Sequence, residues 1–510
     1  MGKFRAFSLM KKRIPYFLLV ITGFITTVLF ARSNRTVQLI DDFEVPFGQP
    51  VLRNAVNCLA IPTYDGSGAL VHPDVLYFAE PWRGAYYWMA FTPYYNGDFT
   101  YENPSIVHSS CGIEWVVPEG LSNPIYRPPA GFHNNDVDLV YSRENDELWC
   151  YFRENPLGET WPIAVKRAVS SDGVDWAIST IISSGVFYNT SPAVVPVNDG
   201  YYMFVREPPF RLMLSKSPDG MDWGEQIATD LASGVFHHDV FYDGTEFKLL
   251  YYVVKGAVAR SLRYATSPDG ITWKRYLPPV LIRSDPGWDS GTLYRASFNI
   301  DTETRTVTIW YSGRTPGEQM RVGLVSGNYP EMLAALSDQG GWEWVSGEGY
   351  WNTDSEVACR GNYSGRMEQE LGEHMRLRKN SILRNSFWLE FDMYDDLSDG
   401  VFGLVRLENP ENRKNVGIGI APSINSYYYV CHDHLFNYQA GVAREEGWRR
   451  FSVSMDNAGT FTFYADGQEI GAVSNQFAEV AKIRLQGSQD HPGVMRIDDI
   501  VQYRWPTPAP

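Results

Sequence analysis

The chain has 510 residues, 15% of them aromatic, and a formal net charge of −16 at pH 7. This length allows two or three hydrophobic cores, and the aromatic content together with 44 Gly and 31 Pro favours an all-β protein with many turns. The acidic balance argues against nucleic acid or an anionic membrane surface as the main partner. An acidic glycan stays possible, because a local arginine cluster could still bind one.

The amino terminus carries an export signal. Basic residues between Lys3 and Arg13 precede an apolar run over residues 14–31, which is the pattern of a secretory signal or a signal anchor. Leu29 and Ala31 make a poor cleavage site, and the run is nearly long enough to span a bilayer. We therefore expect an exported protein, extracellular or periplasmic, in which residues 1–31 are either a cleaved signal or a retained membrane tether, and which touches the membrane only there.

A short phrase then recurs four times at a spacing of about 50 residues: Ser, a turn containing Gly, and Trp. The copies occupy residues 109–115, 170–176, 217–223 and 267–273. Gly supplies the positive φ of a tight hairpin, and a fixed period of this size marks a repeat architecture. We interpret these hairpins as structural parts of a β-propeller.

The inner strands of the repeat can be placed as well, and each is followed by a second, aromatic strand. The inner strands are predicted at residues 72–77, 136–141, 191–195, 237–242 and 294–298. Five copies predict a five-bladed β-propeller over residues 32–336, with a closing strand in the polar segment 32–70. Residues 337–349 are expected to form a linker.

Beyond Gly349 the period is lost, but short alternating strands continue, and they predict a second all-β domain over residues 350–510. Trp448, Phe451, Asp466-Gly467 and the segment 496–500 resemble laminin-G or concanavalin-like jelly-roll sandwiches. This resemblance implies an accessory domain that adds glycan affinity or docks onto the propeller.

In a propeller blade, the start of the inner strand and the end of the second strand lie on one face, because the two strands are antiparallel. Equivalent inner-strand starts hold Asp74, Asp138, Ala193, Asp239 and Ser297. The second strands end in a further set of charged residues, namely Arg153, Glu154, Arg206, Glu207 and Arg314. Carboxylates, cations and aromatic rings around one depression are what cleavage of a glycosidic bond requires.

Structural interpretations stand beside this one. An Asp at a strand start can cap a neighbouring backbone N–H, although two blades have Ala or Ser there, so the fold does not demand it. The two Arg-Glu pairs can bind each other across blades. Four histidines also flank the inner-strand starts, which favours a polar ligand site: His72, His133, His237 and His238.

The segments 72–75, 101–104 and 136–141 resemble the propeller clan of glycoside hydrolase families 43 and 32, with similarity over about residues 50–330. The resemblance implies that Asp74 is the general base and that Asp138 tunes its pKa and orients the sugar. The third-blade glutamate that serves as acid in this clan is missing, since Ala193 stands there. Glu207, Glu102 or His238 with Asp239 would then supply the proton.

We therefore predict an inverting glycoside hydrolase that acts on a poly- or oligosaccharide. The alternatives are an anchored, non-catalytic glycan-binding protein and a glycan phosphorylase or transferase that holds phosphate with its cations. No cofactor is expected, and no metal, because no Asp-x-Asp-x-Asp-Gly loop occurs. The predicted catalytic residues are Asp74, Asp138 and Glu207, and the predicted substrate contacts are His72, Glu102, Asn103, Asp136, Arg153, Glu154, Arg206, His238, Asp239, Arg295 and Arg314.

Overall fold

The structure is a computed structural model, and its described residues begin at Thr36, so the predicted export segment 1–31 lies outside them. Across the described residues no helix has the length and apolarity needed to cross a bilayer. The described residues are 36–41, 43, 50–158, 164–182, 190–207, 211–231, 235–253, 261–276, 278–284, 286–338, 341–346, 349–354, 358–359, 364–369, 376–384, 386–395, 397, 403–411, 414–420, 429–432, 435–437, 443–474, 477, 479–487 and 493–504.

One strand, β1 (Thr36–Asp41), precedes five consecutive antiparallel sheets, which we call blades one to five. Two one-turn helices, Tyr95–Gly97 and Phe99–Tyr101, lie between the second and third strands of blade one, and α1 (Tyr329–Ser337) follows the last strand of blade five. The blades contain, in order, β2 (Leu70–Trp82), β3 (Ala85–Pro93) and β4 (Ser105–Ser109); β5 (Phe132–Ser142), β6 (Glu147–Pro156), β7 (Ala164–Ser170) and β8 (Ala177–Ile182); β9 (Thr190–Val197), β10 (Gly200–Glu207), β11 (Arg211–Ser217) and β12 (Ile227–Ala228); β13 (Val235–Tyr242), β14 (Phe247–Val253), β15 (Ser261–Ser267), β16 (Lys274–Arg275) and β17 (Leu281–Ile282); β18 (Thr292–Asp301), β19 (Thr306–Arg314) and β20 (Arg321–Asn328).

The blades form a closed ring around their first strands. Each first strand packs against the first strand of the next blade, from β2 through β5, β9 and β13 to β18, and β18 packs back against β2. This is the arrangement of a β-propeller, in which closure leaves no unpaired blade. It brings the start of every inner strand to one central channel.

The recurring hairpins hold neighbouring blades together. In each copy the serine hydroxyl accepts a hydrogen bond of 2.8–2.9 Å from the glycine N–H, and the glycine has a positive φ of 69–79°. The glycine then packs on an aromatic ring of the preceding blade: a Cβ at Gly173 would lie 2.2 Å from the ring of Trp88. Gly112 of blade one packs in the same way on Trp310 of blade five. The repeated phrase therefore serves ring closure, not chemistry.

The remaining strands form two sheets that share one core. The first sheet has the order β22 (Gly349–Asp354), β23 (Ser364–Gln369), β34 (Gly493–Arg504), β25 (Phe387–Asp395), β30 (Gly447–Met455), β31 (Phe461–Ala465) and β32 (Gln468–Val473); the second has the order β21 (Glu343–Ser346), β24 (Arg376–Arg384), β33 (Glu479–Gln486), β26 (Gly403–Glu408), β27 (Asn415–Ile420), β28 (Tyr429–His432) and β29 (Leu435–Asn437). Phe391 and Phe463 of the first sheet and Leu407 and Ile418 of the second belong to one buried cluster. Two sheets over one core make a β-sandwich.

The all-β prediction is confirmed, but two segments lie in a different place from the one expected. β1 does not close the propeller: Thr36 to Leu39 pair antiparallel with Arg504 to Val501 in the sandwich. β21 falls inside the expected linker 337–349 and pairs with β24 of the same sandwich. The alternation of a short strand predicts that it pairs but does not predict its partner, and the partner of β1 is more than 450 residues away.

Candidate functional site

Backbone irregularities at the starts of the inner strands shape the mouth of the channel. His72, Asp136 and Ser191 have φ angles of 55°, 51° and 53°, in the left-handed region that non-glycine residues seldom adopt. The β2–β3 and β5–β6 ladders shift register at these positions. Such bulges turn side chains away from the regular alternation, and strained backbone of this kind collects at functional sites.

Three buried side chains from three blades meet at this mouth, and we call them the histidine–aspartate centre: His72, Asp136 and His237. Their ligand atoms all lie within 4.8 Å of one another. Asp136 Oδ1 is 3.2 Å from His72 Nε2 and 3.6 Å from His237 Nδ1. All three residues are at most 4% exposed.

Neighbouring groups orient each member of the centre, and for His237 this group is the Ser191 hydroxyl, which contacts Nδ1. Asp136 Oδ2 is 2.5 Å from Arg153 Nε and accepts a hydrogen bond of 3.1 Å from the Ser191 N–H, so Oδ1 faces the histidines. His72 Nδ1 lies 2.9 Å from Thr92 Oγ1, which directs Nε2 inward. Partners of this kind behind a ligand fix its tautomer and ring orientation.

The protonation states suit metal binding. Burial lowers the pKa of His72 to about 3, although the charge of Asp136 opposes this, and burial likewise holds the pKa of His237 well below its usual value. Both imidazoles are therefore neutral near pH 7 and keep a lone pair. Burial alone would raise the pKa of Asp136, but the guanidinium of Arg153, together with His72, His237 and Arg295, outweighs burial, and the pKa falls below its usual range.

A carboxyl with the opposite tendency lies beside the centre. Glu102 Oε2 is 3.4 Å from His72 Nδ1, and the residue is 6% exposed. Burial raises the pKa of Glu102 well above its usual value, the negative charge of Asp136 adds to this, and Arg153 opposes it. Two carboxyls whose pKa values are pushed apart are the usual sign of an acid–base assignment.

The centre fits a divalent cation. His72 Nε2, Asp136 Oδ1 and His237 Nε2 are buried and have no hydrogen-bond partner among the described residues. Two imidazole nitrogens and one carboxylate oxygen are the donor set of many catalytic zinc and iron sites. No metal was predicted from the sequence, because these ligands come from three blades and form no continuous motif.

A second carboxylate group lies deeper in the channel, and we call it the lower cluster: Asp74, Asp138 and Asp239. Each member accepts a hydrogen bond from a backbone N–H of a different blade, and these donors are Leu139, Val194 and Phe298. Arg295, which is fully buried, places Nη2 3.3 Å from Asp138 Oδ1. The cluster borders a cavity of about 410 Å³ formed by the later residues of the inner strands. These bonds join neighbouring blades, and we assign no metal to the cluster.

The lower cluster should make stability depend on pH. Burial, and next the charge of Asp74, raise the pKa of Asp239 to about 7 from an unfolded value of 3.8. Between these values the folded chain keeps a proton that the unfolded chain releases, so the free energy of unfolding falls as pH rises from about 4 to 7. Asp239→Asn is expected to reduce this loss by at least about 1.4 kcal/mol, the worth of one pKa unit.

Denaturant unfolding at pH 5 and pH 8 measures this difference. Asp199→Asn, at an exposed turn of blade three, is the matched control and should keep the wild-type dependence. If the free energy of unfolding fell by the same amount between pH 5 and pH 8 in wild type and in Asp239→Asn, the raised pKa of Asp239 would be contradicted. The stability of the variant should still fall somewhat with rising pH, since burial also raises the pKa of Asp74 and Asp138.

The other predicted residues lie in several places. Arg206 is close enough to Asp136 and Arg153 to interact with both charges, and its guanidinium stacks 4.6 Å from the Phe236 ring. The remaining predicted residues have partners of their own: Glu154 with Lys166 and Tyr126, Glu207 with Arg211, Asn103 with Tyr64 and Asn134, and Arg314 near Tyr94 at the exposed end of β19.

His238 is a correction to the predicted contacts, and His237 takes its place. A register shift between Val235 and His237 changes by one residue which side chain of β13 points to the centre. His238 Nε2 instead lies 3.1 Å from the Phe204 carbonyl oxygen of the neighbouring blade. The His-His pair signalled a polar site, but alternation alone selects the wrong member, because a bulge cannot be recognised from the sequence.

The fold and the site together define a β-propeller with a buried His-Asp-His centre and an adjacent carboxylic acid. No protein-family model matches the chain. A curated protein of Flavonifractor plautii, A type blood N-acetyl-α-D-galactosamine deacetylase, is 28% identical over 358 residues, which cover 54% of this chain and 46% of that protein. The chain thus spans just under half the length of this relative.

The solved structures include a neighbour of the same kind from the same organism. The crystal structure of an N-acetylgalactosamine deacetylase from F. plautii in complex with blood group B trisaccharide matches with a TM-score of 0.53 and 27% identity, covering 57% of this chain and 99% of that one. A GH43 protein from Bacillus licheniformis is more distant, with a TM-score of 0.37 and 11% identity over 91% of this chain and 100% of that one.

These comparisons correct the predicted reaction. The resemblance implied a glycoside hydrolase, but the relative at 28% identity is named a deacetylase, which acts on N-acetyl groups and not on O-glycosidic bonds. The prediction of a glycoside hydrolase is therefore wrong. Its weak point was already visible at Ala193, where the resemblance requires a proton donor and the chain has none.

Proposed function

We propose that this protein is a metal-assisted deacetylase that removes the acetyl group from an N-acetylated amino sugar in an oligosaccharide. The histidine–aspartate centre with Glu102 beside it carries the proposal. The similarity to the F. plautii deacetylase supports the reaction, and the trisaccharide bound to that protein supports an oligosaccharide as the substrate. In the reaction, water bonds to the acetyl carbon, the C–N bond breaks, and the nitrogen leaves as an amine with one added proton.

His72, Asp136 and His237 would hold the cation. A divalent cation at such a centre polarises a carbonyl oxygen and lowers the pKa of a bound water to about 7. Arg153 and the Ser191 N–H keep Asp136 ionised and correctly turned. Thr92 orients the neutral ring of His72 through Nδ1.

Glu102 is suited to the proton transfers. Burial raises the pKa of Glu102 well above that of an exposed glutamate, and a carboxyl with a raised pKa can both take a proton from the attacking water and give one to the leaving nitrogen. A departing amide nitrogen needs this proton, since an amine anion is too basic to leave. Glu102 is therefore the group that we assign to acid–base catalysis.

Aromatic rings around the centre suit a sugar substrate. Tyr294 packs against His237 at 4.4 Å and against His72 at 5.6 Å, and it forms an apolar wall beside the centre. At the rim, Phe99 is 45% exposed and its ring lies 4.8 Å from that of His133. Exposed rings beside a polar centre can stack on sugar rings, which buries apolar sugar faces. We also propose that residues 1–31 export the chain and that the sandwich serves as an accessory glycan-binding domain.

The test measures acetate. We expect the purified chain to release acetate from an oligosaccharide that ends in N-acetylgalactosamine, without releasing a free monosaccharide. A chelator should abolish release, and added divalent metal should restore it, because the cation would be held by only three protein ligands. Cleaved sugar without acetate, or full activity after chelation and dialysis, would overturn the proposal.

A further inference from the structure

The sandwich carries a row of arginines on the face turned away from its core. We call this the arginine face: Arg376, Arg378, Arg406 and Arg484. Leu377, Val405 and Leu485 belong to the shared core, and successive residues of a strand point to opposite faces, so the arginines lie on the other side.

The register places like charges directly opposite one another. Arg484 of β33 is paired on one side with Arg378 of β24 and on the other with Arg406 of β26. Like charges at paired positions destabilise a sheet. In a chain of net charge −16, such a concentration of positive charge on three neighbouring strands requires an explanation.

Among the described residues, Arg406 lacks the carboxylate partner that two of its neighbours have. Arg484 pairs with Glu408 at 2.9 Å, and Arg378 pairs with Glu343 at 2.6 Å. Arg406 is only 4% exposed, and within the described part of the chain its guanidinium makes no hydrogen bond or ion pair, while its Nε is fully buried.

An unpaired buried charge is costly, since removing an ion from water costs several kcal/mol unless an opposite charge or hydrogen bonds compensate. The electrostatics of the neighbour agree: burial lowers the pKa of Arg484, Arg376 and Arg406 lower it further, and Glu408 opposes them. A protein keeps such a group where a ligand supplies the missing charge. The excess of positive charge around Arg406 therefore favours an anion as the ligand of this face.

We propose that the arginine face binds the carboxylate or sulfate groups of an acidic glycan, with Arg406 as its central contact. A guanidinium has a planar fork of donors that matches both groups in a bidentate manner. The overall negative charge of the chain disfavours a polyanion such as nucleic acid. The choice of a glycan rests on the proposed function of the propeller, while the choice of an anion rests on the arginines alone.

The test is binding of the full chain to three polymers measured by titration calorimetry: polygalacturonate, dextran sulfate and neutral dextran. We expect one of the two acidic polymers to bind and neutral dextran not to bind, and the better acidic polymer identifies carboxylate or sulfate as the ligand group. Arg406→Gln should weaken this binding at least about tenfold, as expected for a lost charge-assisted contact. Arg449→Gln, which removes an arginine from the other sheet, is the matched control.

Thermal unfolding of the same variants separates loss of a ligand contact from loss of fold. Because Arg406 is buried and has no partner among the described residues, Arg406→Gln should unfold at a temperature equal to or above that of wild type, and the acidic polymer should stabilise wild type only. Equal binding by Arg406→Gln, no preference over neutral dextran, or tighter binding of a DNA oligonucleotide would each overturn the proposal. Acetate release by the same wild-type preparation is scored separately, so a failure of the deacetylase proposal is told apart from a failure here.

Discussion

His237→Gln is expected to lower acetate release by at least about 100-fold, which is the most that loss of a residue behind a metal ligand usually costs. His237 belongs to the centre, where its ligand atom lies within 4.8 Å of those of His72 and Asp136. Glutamine keeps the approximate size of the ring but cannot replace its basic nitrogen. The variant should also retain less divalent metal after dialysis, measured by elemental mass spectrometry.

The adjacent histidine makes the comparison sharp. The ring of His238 meets the Phe204 carbonyl oxygen at 3.1 Å, and a glutamine amide can donate the same hydrogen bond. The rate loss for His238→Gln should therefore stay below about 10-fold, the lower end for groups behind the ligands. If His238→Gln lost more activity and metal than His237→Gln, the bulge at the start of β13 would be placed wrongly, and with it the centre.

The part of this protein that the sequence predicts well is the part that repeats. The Ser, Gly and Trp hairpins and the aromatic second strands recur with a fixed period, and each copy makes the same contact with the preceding blade, as Gly173 does with Trp88. Local chemistry and global fold agree in every copy, so the all-β class could be predicted from the residues alone.

The site is predicted less well, because it depends on irregularities. His72, Asp136 and Arg153 were recognised only as substrate contacts, Glu102 was one of several alternative proton donors, and Asp74 was preferred as the base. The bulges at His72 and Asp136 bring these residues to the mouth of the channel, while the regular register leaves Asp74 below, bonded to the Leu139 N–H. A resemblance carried over by sequence position cannot show whether a residue lies at the mouth of the channel or deeper inside it.

The reaction depends on the same difference. A glycosidase needs two carboxyls placed across a glycosidic bond, whereas this chain gathers its three deep carboxylates within 4.8 Å of one another and bonds them to other blades. At that separation there is no room for a sugar and a water between them, since inverting glycosidases hold their carboxyls roughly 6.5–9.5 Å apart. The mouth of the channel instead offers imidazoles and a single acid of raised pKa.

Glu102→Gln is expected to lower the turnover number about 10²- to 10⁴-fold, the usual contribution of general acid–base catalysis. The amide can still approach His72 Nδ1, which lies 3.4 Å from Glu102 Oε2, so the centre should keep its metal. Most of the loss should therefore appear in the turnover number, and KM should change little. Glu147→Gln is the matched control. Glu147 also belongs to the propeller, but it accepts a hydrogen bond from Trp149 at the end of β6 that is remote from the centre.

The pH profile distinguishes a proton-transfer role from a structural one. Because burial and the charge of Asp136 raise the pKa of Glu102, its ionised form, which accepts the proton of the attacking water, becomes abundant only above the usual titration range of glutamate. The wild-type kcat/KM should therefore rise with pH through this raised pKa, and the variant should lose the rising limb along with the rate. A residual activity of Glu102→Gln that keeps the wild-type pH profile would assign the proton transfer to another group, and His133 is then the next candidate, since burial lowers its pKa and keeps it neutral beside Phe99.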